Sequence, residues 1–271
     1  MSLFISSINS GSNGNCYYVG NSQDAVLVDA GISCRETEKR MKRIGLSMQK
    51  VRAIFISHEH SDHIKGVEVL SKKFQIPVFI SERTLKSSGL KIARNLVRYF
   101  SHNERVEVGS LFISAFSKWH DAADPFSFTV SHAGTCVGVF TDIGAPCENV
   151  VKYFSQCHAA FLEANYDEQM LAEGRYPAYL KKRIRSDKGH LSNAQALQLF
   201  REHRSGNLSH VLLSHLSKEN NRPELAHALF VPHAGNTHVT VASRYNESPV
   251  YKVDASAISV PVSEAEQLSL F

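Results

Sequence analysis

The sequence lacks the features that mark secreted, membrane-spanning or disulfide-stapled proteins. Its five cysteines are an odd number and no two of them form a Cys-x-x-Cys pair, which argues against a disulfide framework and for a reducing compartment. No apolar run approaches the length of a membrane span, and the first residues carry no basic region or cleavage site of a signal peptide. We therefore expect a cytoplasmic protein without a membrane segment.

Charge and length set only broad limits on the function. The formal net charge of +4 permits a polyanionic partner but does not require one. The 271 residues, 43% of them hydrophobic, suffice for one large α/β domain or two small ones. No internal repeat at a fixed period is found, which excludes the common solenoid and propeller architectures.

Apolar stretches alternate with helix signals along most of the chain. The pattern predicts strands at 3–8, 16–20, 25–29, 53–57, 77–80, 111–116, 126–131, 135–141, 158–163 and 210–215, and helices at 34–44, 66–74, 147–154, 177–185, 192–203 and 223–230. Two mixed sheets with outer helices, an αββα sandwich, suit this order. We expect one hydrolase domain over residues 1–251 and a flexible tail over residues 252–271.

A histidine-rich segment just after the strand at 53–57 carries the clearest chemical signal. It contains four metal-competent side chains within six residues, namely His58, His60, Asp62 and His63. Such a pattern arises by chance in roughly one in a thousand sequences of this composition. Imidazoles and carboxylates suit zinc, manganese or iron. His58 and His60 can bind one ion while Asp62 and His63 bind the next, which predicts a centre for two divalent metal ions.

One loop cannot complete two metal sites, and three further candidates stand just past apolar strands. These are His120, Asp142 and His215, of which Asp142 can bridge two ions with its two carboxylate oxygens. Each taken alone is equally well explained as a surface or core residue, so their shared position is what favours a joint role. Asp29 has the same placement, and we interpret it as a carboxylate that orients the histidine loop by hydrogen bonds.

The order of these residues resembles the five-motif signature of the metallo-β-lactamase fold, over about residues 1–245. The resemblance implies the αββα sandwich and places Asp142 between two ions. It implies a first ion held by His58, His60 and His120 and a second held by Asp62, His63 and His215. The superfamily includes thioesterases, lactonases, β-lactamases and nucleases, so the fold alone does not define the substrate.

Three further segments, 10–16, 188–193 and 213–221, resemble the YycJ/WalJ branch of that superfamily. This branch is regarded as DNA exonucleases that act from 5′ ends and are linked to mismatch repair, so the resemblance implies a two-metal phosphodiesterase acting on DNA. The alternatives are a thioester or lactone hydrolase of the same fold, and a non-catalytic scaffold. The complete ligand set argues against the scaffold, which has no physical reason to retain convergent ligands.

His190 is a catalytic candidate on its own residues. Ser192 followed by Gln195 forms a capping-box pattern, which predicts a helix that begins just after His190. A helix N-terminus presents free N–H groups to an anion, and an imidazole beside it can hold a phosphate or protonate a leaving oxygen. The plainer explanation is a loop histidine that supports the cap. We expect Asp62 and His190 to serve catalysis, with a hydroxide shared by two ions attacking phosphorus.

A basic run precedes His190. It consists of Lys181, Lys182, Arg183, Arg185 and Lys188. These side chains can contact a nucleic-acid backbone, although charge runs are usually solvated helix faces. The sequence therefore predicts a DNA-binding surface here, with a solvated helix as the alternative.

The last five residues resemble the motif by which bacterial replication and repair proteins dock on the DNA polymerase sliding clamp. They are Gln267, Leu268, Ser269, Leu270 and Phe271. They follow a polar segment, 256–266, with the composition of a flexible tether. The resemblance implies the clamp as a partner. The alternative is that these apolar side chains pack on their own domain.

Overall fold

The computed structural model describes residues 2–255, and these form the αββα sandwich that the sequence predicted. Two seven-stranded sheets pack face to face within this range. Helices cover the outer faces, and none of those in residues 2–255 is long and apolar enough to cross a membrane. The residues of the clamp-like motif, 267–271, lie outside the described range.

The first sheet has the strand order β14-β1-β2-β3-β4-β5-β6. Its strands are β1 Leu3–Asn9, β2 Cys16–Gly20, β3 Ala25–Val28, β4 Val51–Phe55, β5 Val78–Ile80, β6 Val97–Tyr99 and β14 Tyr251–Val253. β1 to β3 are antiparallel, and β3 to β6 are parallel. β14 pairs with β1 and continues to Val253, past the boundary at residue 251 expected from the sequence.

The second sheet has the order β13-β12-β11-β10-β9-β8-β7. Its strands are β7 Arg105–Val108, β8 Leu111–Ser117, β9 Phe126–His132, β10 Thr135–Phe140, β11 Ala159–Glu163, β12 His210–Ser214 and β13 His238–Val241. β10 to β13 are parallel, and β8 runs in the same direction because both β8 and β10 are antiparallel to β9.

Nine α-helices of the described residues connect or cover these strands. They are α1 Cys34–Arg43, α2 Ser61–Ile64, α3 Val67–Phe74, α4 Glu82–Ser88, α5 Glu148–Phe154, α6 Glu168–Glu173, α7 Ala178–Ile184, α8 Asn193–His203 and α9 Pro223–Phe230. The predicted capping box of α8 is confirmed, because the Ser192 side chain and the Gln195 side chain each bond to the other's backbone. Ser33 caps α1 in the same way, accepting from the Glu36 amide.

Burial explains why two sheets and two helix layers form. Apolar side chains of both sheets meet in a central core, where the rings of Phe55 and Phe128 approach to 5.6 Å. A second core lies between the second sheet and helices α5, α8 and α9, and a third lies between the first sheet and helices α1 and α3. Each sheet thus buries both faces, which accounts for the near-continuous apolar runs of its central strands.

Four strands were not predicted from the sequence, and all four are sheet edges. β6, β7, β13 and β14 each end a sheet in the observed order. β6 and β7 are largely exposed, so polar residues interrupt their apolar pattern. The short helices α2, α4 and α6 were also missed, since four to seven residues give little periodic signal.

Candidate metal centre

The candidate site lies at the carboxyl ends of the parallel strands, where loops from both sheets meet. Three site residues within two positions of a strand end adopt left-handed backbone conformations: Asp29 with φ 61°, Asp142 with φ 55° and His215 with φ 57°. Residues other than glycine seldom adopt this conformation, and such strain concentrates at functional sites. The strand ends therefore turn sharply and direct these side chains inward.

The three ligands expected for the first ion lie together. His58, His60 and His120 each offer a ring nitrogen within 4.8 Å of the others. The Nε2 of His58 lies 3.0 Å from the Nδ1 of His60. The Nδ1 of His120 donates to the Gly189 carbonyl oxygen at 3.0 Å, and this bond turns its Nε2 toward the other two rings.

The three ligands expected for the second ion also lie together, since Asp62, His63 and His215 each offer a ligand atom within 4.8 Å of the others. The Nδ1 of His63 lies 2.7 Å from the Asp29 carboxylate, which also accepts from the Ser57 amide at 2.8 Å. Asp29 thus fixes both the loop and the imidazole, the orienting position expected from the sequence.

Asp142 lies between the two groups. Its Oδ2 is 3.1 Å from the Nε2 of His63, and its Oδ1 is 3.7 Å from the Nε2 of His120 and 3.5 Å from the Nδ1 of His215. The side chain is only 2% exposed. Asp142 therefore approaches histidines of both groups, as the bridging position expected from the sequence requires.

The donors fit divalent metal ions on an observation independent of the ligand pattern. The Nε2 atoms of His120 and His215 are buried, and neither has a hydrogen-bond partner among residues 2–255. Buried polar atoms are almost always paired, so an unpaired imidazole nitrogen in each of the two ligand groups indicates a position for a metal ion in each. The nitrogen and oxygen donor set suits zinc, manganese or iron.

Burial and neighbouring carboxylates shift the pKa values of two expected ligands, His120 and His215, in opposite directions. Burial lowers the pKa of His120 to about 4, which keeps this imidazole neutral and ready to bind a metal. Burial acts to lower the pKa of His215 too, but Asp142, Asp62 and Glu163 outweigh it and raise that pKa to about 10. Metal binding must therefore displace a proton from His215, as is usual when ions bind to folded sites.

Two functional positions were missed in the sequence. Asn15 donates from its Nδ2 to the Asp62 carboxylate at 3.1 Å and lies 3.0 Å from the Nε2 of His63. Glu163 is fully buried, and its Oε1 lies 2.9 Å from the Nδ1 atoms of both His190 and His215. The sequence offered one signal for Glu163, which is its position. Glu163 stands at the end of an apolar strand and just before a loop, as Asp29 does.

The other oxygen of Glu163 is also fully engaged. Its Oε2 accepts from the backbone amides of Ile143 at 2.7 Å and Leu191 at 3.2 Å. Burial acts to raise the pKa of Glu163, but His190 and His215 outweigh it and lower that pKa to about 2. Glu163 is therefore a carboxylate at neutral pH, and it fixes one expected metal ligand and one expected catalytic histidine together.

His190 borders a cavity of about 250 Å³ that opens onto the metal centre. His60, Asp62, Asp142 and His215 line the same cavity, and α7 contributes one wall. The N-terminus of α8 offers fewer free amides to an anion than the sequence suggested. Its first amides are satisfied internally: those of Ser192, Asn193 and Gln195 donate to Gln195, Tyr166 and Ser192. His190 is the residue of this segment that lines the metal cavity.

The basic run divides into two kinds of side chain. Arg183 pairs with Asp121 beside His120 and lines the cavity, whereas Lys182 and Lys188 point to solvent. Lys181 donates to the Ala172 carbonyl oxygen at 2.7 Å, and Arg185 donates to that of Glu168 at 3.4 Å. We call this run the basic rim: Arg183 lines the cavity, the other four residues are near it in sequence, and two of these are tied to neighbouring loops.

Comparison with known proteins agrees with this geometry. The sequence model of the metallo-beta-lactamase superfamily matches residues 10–134. Exodeoxyribonuclease YycJ of Bacillus anthracis is 35% identical over 229 residues, which cover 83% of this chain and 87% of that protein. Exodeoxyribonuclease WalJ of Streptococcus pneumoniae is 33% identical over 227 residues, which cover 82% of this chain and 84% of that protein.

A solved structure supports the fold independently of close sequence similarity. The metallo-beta-lactamase fold protein YhfI from Bacillus subtilis superposes with a TM-score of 0.72 at 14% identity, covering 93% of this chain and all of that one. At this identity the likeness supports the fold alone, and the more similar relatives define the family. The chain is therefore a hydrolase of the metallo-beta-lactamase superfamily and belongs within it to the family of YycJ and WalJ.

Proposed function

We propose that this protein is a two-metal phosphodiesterase that acts on DNA as a 5′ exonuclease in DNA repair, within mismatch repair. The observation that carries the proposal is the similarity to two proteins named exodeoxyribonucleases over more than four-fifths of the chain. The site is consistent with it, since the seven donors converge and four of them line a cavity whose wall also carries Arg183.

The expected role of each residue follows from its hydrogen bonds. Divalent ions at the two groups, zinc or manganese by the donor set and iron as the alternative, supply the Lewis acidity that activates water and stabilises charge on a phosphodiester. Asp29 and Asn15 hold His63 and Asp62 in place. Glu163 binds the Nδ1 of His190, which leaves the Nε2 of that ring to hold a proton for the departing oxygen.

The basic rim is proposed to bind the DNA backbone. Lys182 and Lys188 are exposed beside the cavity, and Arg183 lines it. Cations in this position can contact phosphates on either side of the scissile bond, and each contact releases counterions from the DNA. The rim would thereby guide a strand end toward the metal centre.

The test compares DNA with a thioester. We expect protein loaded with manganese or zinc to degrade DNA labelled at its 3′ end progressively from the 5′ end, and to leave a glutathione thioester intact. Replacing Lys182 and Lys188 by Gln should raise the KM for DNA about tenfold and flatten its dependence on salt, because two phosphate contacts are lost.

Two controls make this comparison decisive. A variant with Lys42 and Lys86 changed to Gln removes the same charge from exposed positions on α1 and α4, and it should behave as wild type. Efficient thioester hydrolysis without DNA degradation would overturn the nuclease assignment in favour of the thioester or lactone hydrolase. Degradation only from 3′ ends would contradict the proposed polarity.

The last five residues are proposed to bind the sliding clamp. The proposal depends on their sequence, which offers Gln267 for register and Leu270 with Phe271 for an apolar pocket. Docking would raise the local concentration of the enzyme on DNA. We expect calorimetry to detect clamp binding at about micromolar affinity, and changing Leu270 and Phe271 to Ala to abolish it. Undiminished binding by that variant, or no binding by the intact chain, would contradict the proposal.

A further inference from the structure

A second cavity, of about 320 Å³, adjoins the metal cavity. Ser217 lines both cavities, so they are separated by little more than one residue. Ser10 lines the second cavity, and its hydroxyl accepts from the backbone amide of His215 at 2.7 Å. A bound polymer whose units are each a few ångströms long can therefore extend from the metal cavity directly into this second cavity.

The lining of this second cavity combines an apolar floor with cations and an aromatic ring. Leu216, Pro223 and Val241 supply apolar surface. Lys218 and Arg244 supply positive charge, and no carboxylate is among the residues that line it within the described range. Tyr245 stands at its edge and is 65% exposed, so its ring is accessible to a planar ligand. Flat apolar faces and cations together suit a nucleobase attached to a phosphate.

Arg244 stands at the junction of the two cavities. One guanidinium nitrogen, Nη2, donates to the Leu216 carbonyl oxygen at 3.0 Å and to the hydroxyl of Ser12 at 3.3 Å. Leu216 lines the second cavity and Ser12 lines the metal cavity. The other guanidinium N–H groups make no hydrogen bond within residues 2–255, and a guanidinium held on one side is well placed to bind a phosphate with the other.

We propose that this cavity is a nucleotide subsite, which holds the base of a nucleotide adjoining the scissile phosphodiester. Tyr245 stacks on the base, and Lys218 and Arg244 bind the flanking phosphates. The inference rests on the proposed action on DNA and extends it, because the enzyme would engage nucleotides on both sides of the metal centre. Stacking tolerates any base, so the subsite would add affinity without strong sequence preference.

The test uses single-stranded oligonucleotides with one abasic residue at successive positions from the 5′ end. We expect one position at which base removal raises the KM of the wild-type enzyme about tenfold with kcat within about twofold, because one stacked base is lost. In Tyr245→Ala that position should no longer differ from its neighbours. Lys218→Gln should weaken binding of a phosphorothioate oligonucleotide, followed by fluorescence anisotropy, about fivefold.

Matched variants separate this subsite from general effects. Tyr99→Ala removes an equally exposed ring from an edge strand of the first sheet, and it should retain the abasic penalty. In Tyr245→Ala the ratio of activity on the oligonucleotide to activity on bis(p-nitrophenyl) phosphate should fall about tenfold. An enzyme that degrades DNA but shows no position-specific penalty, or an unchanged ratio in Tyr245→Ala, overturns the subsite alone. If the enzyme does not degrade DNA at all, the result overturns the proposed function, on which the subsite rests.

Discussion

Replacing Asp62 or His63 by alanine is expected to lower hydrolysis by on the order of a thousandfold and to remove about one metal ion per chain. Both side chains belong to the second ligand group, together with His215. His63 also contacts Asp29 and Asp142 within about 3 Å, so its loss removes one partner from each of two buried carboxylates. Inductively coupled plasma mass spectrometry of the purified variants measures the metal content, and hydrolysis of bis(p-nitrophenyl) phosphate measures the activity.

Controls for this prediction come from an exposed helix. Glu224→Ala and His227→Ala remove the same side-chain types from the solvent-facing surface of α9, and both should keep wild-type metal content and activity. Circular dichroism establishes whether each variant is folded. If Asp62→Ala and His63→Ala both kept full metal stoichiometry and normal hydrolysis, the assignment of a second metal ion to this group would be wrong.

The convergence of these side chains could be predicted because the parallel-strand architecture gives it a linear signature. Side chains just past the ends of parallel strands converge at one edge of a sheet, so the shared position of Asp142 and His215 favoured a joint role, and the family resemblance implied which ion each would bind. The positive φ values at these two residues show how sharply the chain turns there. Nothing in the residue types predicts that turn, since aspartate and histidine only tolerate the left-handed conformation better than most residues do.

Glu163 could not be assigned from the sequence for a physical reason. It ends a strand like the other site residues, but its role depends on two histidines that are 27 and 52 residues away along the chain. Only the packing of β11 between β10 and β12 brings these partners to one carboxylate. The amides at the α8 N-terminus were expected to be free, and three of them are not for a related reason, because the neighbours that satisfy them come from the loop at Tyr166 and from the cap itself.

Glu163 and His190 lead to the second prediction with a large expected effect. His190→Ala should lower kcat on DNA about a hundredfold while both metal ions stay bound, because the ring is proposed to hold a proton for the leaving oxygen. A change of leaving group in the substrate separates this role from a structural one. On the p-nitrophenyl ester of thymidine 5′-monophosphate, whose leaving group needs no proton, the defect should shrink to about threefold.

Glu163→Gln should also impair proton delivery to the leaving oxygen, because it disturbs the hydrogen bond that holds the His190 ring. The amide has one oxygen and one NH₂ group, whereas the carboxylate it replaces accepts from two imidazole Nδ1 atoms on one side and from two backbone amides on the other. Whichever way the amide turns, its NH₂ faces donors, at a cost of about 1–3 kcal/mol. We therefore expect the His190 defect together with a metal affinity at the second group about tenfold weaker, since His215 loses its orientation.

The two variants together distinguish proton delivery from scaffolding. In Glu163→Gln, metal content, kcat on DNA and kcat on the p-nitrophenyl ester should all fall. In His190→Ala, metal content should be unchanged and most of the kcat on the p-nitrophenyl ester should remain. Glu168→Gln provides a matched control, because that carboxylate also accepts from this segment, at the Ser192 hydroxyl, but lies outside the ligand groups. Equal losses on both substrates in His190→Ala would show that the ring supports the centre without delivering a proton, and the proposed role of His190 would then be wrong.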